Sequence, residues 1–322
     1  MHGIVLRVYS DFIDVLTDEG QRWQCKVLGK LKRRRRLTTL VAAGDRVKVK
    51  PVDAEKREGL ITDILPRKSA LSRRRPNTTT PVEDVILANP DEIMVVFAAA
   101  EPDPNLFLLD RFLVAAESSE IPAFIVINKI DLTGEDAARE IFGLYEDVGY
   151  PVFYVSAAQN LGIDALRGQL KDHITVVAGP SGAGKSSLIN RIQPGLNLRV
   201  GELMRIGKGK HTTRWAQLYP LDSGGFIADT PGLRELGLWD IRPGELSDYF
   251  PEIRARAPQC RFSDCTHVTE PGCAVREAVE RGEIHPHRWA SYLQLFEEAT
   301  EQISEFRFWN SDLGFRNSDS SS

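Results

Sequence analysis

The chain has 322 residues, 42% of them hydrophobic and 27% charged, with a formal net charge of −4 at neutral pH. That length suggests two or three domains, and the composition excludes an intrinsically disordered chain. No apolar run approaches the roughly 18 residues of a membrane span, and Met1-His2-Gly3-Ile4-Val5 lacks the layout of a secretory signal, so neither a membrane-spanning segment nor a secretory leader is expected.

The small net charge conceals a segregated one. Residues 1–76 hold 19 Lys+Arg against 9 Asp+Glu, a net +10, which leaves −14 for the remainder. Asymmetry of this size suggests a basic binding module joined to an acidic one. The basic part reads as five short strands: Gly3–Tyr9, Phe12–Leu16, Trp23–Val27, Asp45–Lys50 and Leu60–Leu65, separated by Gly- and Asp-containing turns. Five such strands suit an OB-type barrel, with an SH3-like barrel as the competitor that strand counting leaves open. Lys32, Arg33, Arg34, Arg35 and Arg36 lie between the third and fourth strands, and Arg73, Arg74 and Arg75 follow the fifth. One charge run is commonly a solvated loop, but two flanking a small barrel form a candidate phosphate-backbone contact.

Asn77–Val82, with three threonines and a proline, reads as a linker. Continuous apolar runs then alternate with helical patterns. The strands are Ile93–Phe97, Phe124–Ile127, Val152–Val155, Ile174–Val177 and Phe226–Ala228; the helices are Leu106–Glu117, Ala137–Val148, Ile163–Leu170 and Ser186–Ile192. This predicts a doubly wound α/β domain with its chemistry at the carboxyl ends of the strands. Beyond Leu238 the alternation gives way to a cysteine cluster and an amphipathic helix over Arg288–Phe308. The expected boundaries are 1–72, 80–239 and 240–322.

Gly179-Pro180-Ser181-Gly182-Ala183-Gly184-Lys185-Ser186, followed by Ser187, fits the phosphate-binding pattern G-x-x-x-x-G-K-[ST] and lies between a strand and a helix. The glycines let main-chain N–H groups converge on an anion, Lys185 reaches the β- and γ-phosphates, and the Ser186 hydroxyl ligates Mg²⁺. Asn128-Lys129-Ile130-Asp131 follows a buried strand and selects the base. The Asp131 carboxylate accepts from both N1–H and the exocyclic amine of guanine, a donor pair that adenine lacks. Asn128 steadies the loop, the Lys129 stem covers the ring, and the Ser156-Ala157-Ala158 backbone offers a donor to the guanine oxygen. Asp229-Thr230-Pro231-Gly232 ends the last strand, where Asp229 can hold Mg²⁺ through water and the Gly232 N–H can meet the γ-phosphate. Upstream, His211-Thr212-Thr213 sits in a Gly- and Lys-rich stretch, with Thr213 the better placed threonine for Mg²⁺. Lys185, Thr213 and His211 are the catalytic candidates. His211 is the nearest replacement for the glutamine that orients water in Ras-like proteins, because Leu233 follows Gly232 here. A solvent-exposed histidine is the alternative that spacing leaves open.

The order of these parts is permuted. The guanine motifs precede the phosphate loop, whereas an ordinary GTPase places them after it. Cys260-x4-Cys265-x-His267-x5-Cys273 supplies three thiolates and an imidazole, a closed tetrahedral set suited to one structural Zn²⁺. Cys25, alone on a predicted strand, reads as core.

Together these residues resemble the small-ribosomal-subunit-dependent GTPase A family (RsgA/YjeQ-like), over nearly the whole chain. Ala88-Asn89-Pro90-Asp91, ahead of the first α/β strand, is a lesser match. The resemblance implies an OB barrel, a circularly permuted GTPase and a mainly helical zinc-binding domain. It implies a cytoplasmic, monomeric factor that binds the 30S subunit and 16S rRNA late in maturation. GTP hydrolysis to GDP, stimulated by the subunit, would release it, and His211 would take part in hydrolysis. The competing classes are an ATP-using P-loop enzyme, against which Asp131 argues, and an RNA-binding zinc module with vestigial nucleotide binding.

Overall fold

In the computed structural model of the protein, the described residues are 1–9, 12–32, 39–74, 83–196, 216–229 and 241–312. They fall into two compact units, one of residues 1–112 and 119–236, the other of 113–118 and 237–322.

The first unit begins with β1 (His2–Val8), β2 (Ile13–Thr17), β3 (Arg22–Val27), a single turn α1 (Gly29–Lys32), β4 (Arg46–Asp53) and β5 (Glu58–Ile64). Buried residues alternate with half-buried or exposed ones along β2, β3 and the first half of β4, as period-two side chains on a half-buried sheet must. The inward set, Val5, Ile13, Val15, Trp23, Cys25, Val47, Val49 and Ile61, forms one core. Cys25 is fully buried there, and burial, with the Asp14 carboxylate nearby, pushes its thiol up to about 11, so it is inert core. The strands run β1-β2-β3-β5-β4, β4 returns to β1, and β3 pairs with β5 in parallel. That closed order is the OB barrel, which resolves the alternative left by strand counting.

Two strands that the sequence reading did not anticipate follow: β6 (Ala70–Arg74) and β7 (Glu83–Ala88), paired antiparallel with Arg73 opposite Asp84 and Arg74 opposite Glu83. The expected linker Asn77–Val82 lies outside the described residues, but the strands on either side of it pair with each other. The basic run of β6 hides its strand pattern. Tertiary bonds hold the pair's base: the Thr39 hydroxyl donates to Asp84 and accepts from the Val85 N–H. The fully buried Asp45 carboxylate, which accepts from Arg67 Nε and Nη2 at 2.7 and 2.8 Å, anchors the barrel end beside it.

The α/β part contains β8 (Glu92–Ala98), α2 (Leu106–Ser118), β9 (Ala123–Asn128), α3 (Glu135–Val148), β10 (Val152–Tyr154), α4 (Ile163–Leu170), β11 (Ile174–Ala178), α5 (Lys185–Ile192), β12 (Gln217–Pro220) and β13 (Phe226–Asp229). Every residue of β8 is buried, as expected for a strand covered on both faces. The order is β10-β9-β8-β11-β13-β12, parallel throughout except for β12, which runs antiparallel beside β13. Asn128, Gly179 and Asp229 therefore all lie at or just beyond the carboxyl ends of parallel strands, with β11 near the middle.

The second unit packs a 3-10 turn (Pro243–Tyr249), α6 (Pro251–Arg254), α7 (Ala274–Glu280) and α8 (Pro286–Asp312) around Leu246, Phe250, Ile253, Val275, Ala278, Ile284, Tyr292 and Leu295. Helix α8 starts two residues earlier than its apolar pattern suggests, because Pro286 is favourable in a first helical turn. Arg288 is fully buried, bonded to both Glu252 oxygens at 2.6 and 3.2 Å and stacked over Phe250. Among the described residues, no helix is long and apolar enough to cross a membrane.

Candidate nucleotide site and metal centre

The phosphate loop leaves β11 at Gly179 and enters α5 at Lys185. Gly179 and Gly184 have φ of 128° and 85°, and neither has room for a side chain. A Cβ at Gly179 would stand 2.1 Å from the Val96 carbonyl oxygen, and one at Gly184 would stand 2.4 Å from Asn128 Nδ2. The sequence glycines thus serve close approach as well as backbone conformation. Lys185 is buried, and its ammonium donates to the loop's own carbonyls, Gly179 O at 2.9 Å and Pro180 O at 2.6 Å. Ser186 is also buried at the start of α5.

Asn128 is the joint between the two motifs. Its Nδ2 donates to Ala183 O at 3.0 Å, and its Oδ1 accepts from the Ala157 N–H at 3.0 Å. One side chain therefore fixes the phosphate loop and the Ser156-Ala157-Ala158 loop to the end of β9. The Ser156 hydroxyl donates to Asp131 Oδ1 and accepts from the Gln159 N–H at 3.0 Å, which orients the Asp131 carboxylate. Lys129 has φ of 65° and its ammonium donates to the Glu101 carbonyl. Five expected site residues, Asn128, Asp131, Ser156, Ala157 and Ala183, thus belong to one connected arrangement beside the loop glycines, while Lys129 is bonded to Glu101.

Asp229 ends β13 and is nearly buried; burial alone pushes its carboxyl up to about 7. A carboxylate desolvated in this way suits a divalent cation, whose charge offsets that penalty. His211, Thr212, Thr213 and Gly232 lie outside the described residues. So do Arg33–Arg36 and Arg75, while Lys32 ends α1 and Arg73 and Arg74 lie on β6.

In the second unit the ligand atoms of Cys260, Cys265, His267 and Cys273 all lie within 4.8 Å of one another. Cys260 and Cys273 Sγ are each 3.5 Å from His267 Nδ1 and 4.0 Å from each other. A tetrahedral site with thiolate bonds of about 2.3 Å has sulfur–sulfur edges of about 3.8 Å, so these spacings suit ligation and are far too long for a disulfide. Burial lowers the His267 pKa and favours the neutral, ligating imidazole. His267 adopts φ of 63°, and the loop around it is held by Glu270, a residue that the motif did not reveal. The Glu270 carboxylate accepts from the Thr266 hydroxyl and from the N–H groups of Thr266, Val268 and Thr269. Tyr292 on α8 donates to Thr266 O at 2.7 Å. A glutamate three residues from a ligand carries no sequence signal of this role, since any solvated loop holds such residues.

A family profile described as the RsgA GTPase matches residues 64–239, and one described as the RsgA N-terminal domain matches residues 2–61. The small ribosomal subunit biogenesis GTPase RsgA of Gemmatimonas aurantiaca is 45% identical over 297 residues, covering 92% of this chain and 96% of the relative. That of Moorella thermoacetica is 41% identical over 307 residues, covering 95% and 100%. Among solved structures, YjeQ from Thermotoga maritima superimposes with a TM-score of 0.76 at 39% identity, covering 93% of this chain and 98% of that one. The circularly permuted GTPase YloQ gives 0.73 at 30% identity, covering 94% and 95%.

Proposed function

The chain belongs to the RsgA GTPase family, and from that premise we propose that it hydrolyses GTP to GDP and phosphate while assisting late maturation of the small ribosomal subunit. The observation that carries the nucleotide assignment is the oriented Asp131 carboxylate, tied through Ser156 and Asn128 to the phosphate loop. A carboxylate held there matches the paired donors of guanine and repels the acceptor edge of adenine.

In this reading Gly179–Gly184 amides and Lys185 hold the phosphates, with Ser187 and Thr212 completing the pocket. Ser186, Thr213 and Asp229 would hold Mg²⁺, which when bound would supply positive charge to offset that of the phosphate oxygens. His211 orients the attacking water. Cys260, Cys265, His267 and Cys273 would hold one Zn²⁺, which with four protein ligands would stabilise the C-terminal domain in a structural role. The barrel with Lys32–Arg36 and Arg73–Arg75 contacts 16S rRNA, supported by the net +10 of residues 1–76. The domains are 1–72, 80–239 and 240–322, in a cytoplasmic monomer.

Turnover of GTP measured with and without small ribosomal subunits tests the reading. Subunits are expected to raise the rate by at least an order of magnitude in the wild type and hardly at all in His211→Ala, with GTP affinity preserved. A rate indifferent to subunits, or ATP competing equally with GTP, would overturn it.

A further inference from the structure

The Ser156-Ala157-Ala158 loop has three consecutive amides whose commitments differ. The Ala157 N–H is bonded to Asn128 Oδ1 at 3.0 Å, and the Gln159 N–H is bonded to the Ser156 hydroxyl at 3.0 Å. The Ala158 N–H, between them, has no protein acceptor among the described residues. On the other side of the same peptide group, the Ala157 carbonyl accepts from Arg191 Nε at 3.0 Å, and Arg191 Nη2 reaches Ala158 O at 3.4 Å. A trans peptide directs its N–H opposite to its C=O. Arg191 therefore holds the Ala157–Ala158 peptide by its carbonyl face and turns the one uncommitted amide away from itself.

Arg191 is well anchored for this task. It sits near the end of α5, the helix that starts at the phosphate loop. The carbonyls of Arg191 and Ile192 are in turn held by Arg167 of α4, at 2.8 and 3.1 Å, and Arg167 is paired with Asp164 at 2.6 Å. Arg191 is itself exposed, so its side chain does not serve to fill the core. Its planar fork spans two successive carbonyls, a geometry that a lysine ammonium does not reproduce.

We propose that Arg191 is a specificity-determining positioning residue: it fixes the Ala157–Ala158 peptide so that the Ala158 N–H is presented to the six-position oxygen of guanine. The inference rests on the guanine reading of Asp131 and goes beyond it, because Asp131 addresses only N1–H and the exocyclic amine. Division of labour between the two sides of the base follows. Asp131 rejects bases without the donor pair, and the Arg191-held amide rejects bases without a good acceptor at position six. A donor left facing a poor acceptor is what makes such a site selective.

The test compares dissociation constants for GTP, 6-thioguanosine triphosphate and inosine triphosphate in the full-length wild type, Arg191→Met and Arg191→Lys. The sulfur analogue keeps N1–H and the amine but weakens the six-position acceptor; the inosine analogue keeps that oxygen and loses the amine. Arg191→Met, which keeps an apolar stem, is expected to shrink the preference for GTP over the sulfur analogue about fivefold, the worth of one ordinary hydrogen bond. The preference for GTP over the inosine analogue should not change. Arg191→Lys should fall between the two proteins. If both preferences shrink together, or neither does, Arg191 is a structural tie and the proposal is wrong. If the wild type does not discriminate against inosine triphosphate at all, the Asp131 reading itself fails. Because each readout is a ratio on one protein sample, partial misfolding of a variant cancels.

Discussion

In the nucleotide loops the groups set in place are mostly main-chain amides, and side chains serve to hold them. Asn128 clamps Ala183 and Ala157, Ser156 orients Asp131, and the glycines at 179 and 184 leave no room for another atom. The metal loop inverts these roles. There the groups set in place are side chains, Cys260, Cys265, His267 and Cys273, and the main chain is gathered around one carboxylate to present them. The first arrangement is sensitive to atoms added, the second to atoms removed.

Removal from the metal loop should have the largest effect. Cys273→Ser keeps the volume but loses a thiolate, and structural zinc contributes on the order of 10 kcal/mol or more to the folding of small metal domains. The expected outcome is a fall in bound zinc from one per chain to nearly none, read by atomic absorption. The second unit should also lose its cooperative unfolding while GTP binding survives. Loss of GTP binding together with zinc would break the contrast between the two regions.

Addition to the phosphate loop should come next. Gly184→Ala places a Cβ 2.4 Å from Asn128 Nδ2 at φ of 85°. Left-handed backbone strain of about 1–2 kcal/mol and a displaced buried hydrogen bond of about 1–3 kcal/mol together predict roughly a 100-fold loss of GTP affinity. Isothermal titration would read it, and zinc content should stay at one per chain. An affinity within threefold of wild type would mean that Asn128 is not the joint described above.

The same contrast explains what was legible in the sequence. The phosphate loop was legible because close approach and positive φ demand glycine at fixed spacing, and the metal ligands because only a few residue types bind zinc. The guanine motifs were legible through their position after buried strands. The supports were not. Arg288 and Glu252 are 36 residues apart, and Thr39 and Asp84 are 45 apart, so neither pair leaves a local pattern. The strand β6 was hidden because its arginines interrupt any period-two apolar signal, and β7 because Val85–Ala88 is a short apolar run without alternation. The OB topology could not come from counting strands, since the parallel pairing of β3 with β5 decides it. Arg191 was invisible for the same reason as Glu270: a charged residue on a helix or in a loop has solvent as its default partner.

The smallest effect sharpens the comparison most, because it separates presentation from ligation in the metal loop. Burial pushes the Glu270 carboxyl up, but hydrogen bonds from the Thr266 hydroxyl and the loop amides outweigh it and hold the group at about 2, below its ordinary 4.5. A depressed carboxyl contributes stability that is present in full above its ordinary value and is lost as pH falls through the depressed one. Between pH 5 and 8 the contribution of Glu270 is therefore constant, and any pH dependence of zinc release in that window belongs to the ligands. Glu270→Gln keeps the shape, removes the charge and replaces one acceptor oxygen by a donor. It should weaken zinc binding about tenfold, in line with other residues that orient metal ligands. Zinc dissociation followed with a chromogenic chelator should give parallel pH profiles for the two proteins, offset by that factor. Profiles that converge at pH 8 would place the Glu270 effect in ligand protonation instead of loop geometry. The metal loop would then depend on charge where the nucleotide loops depend on fit.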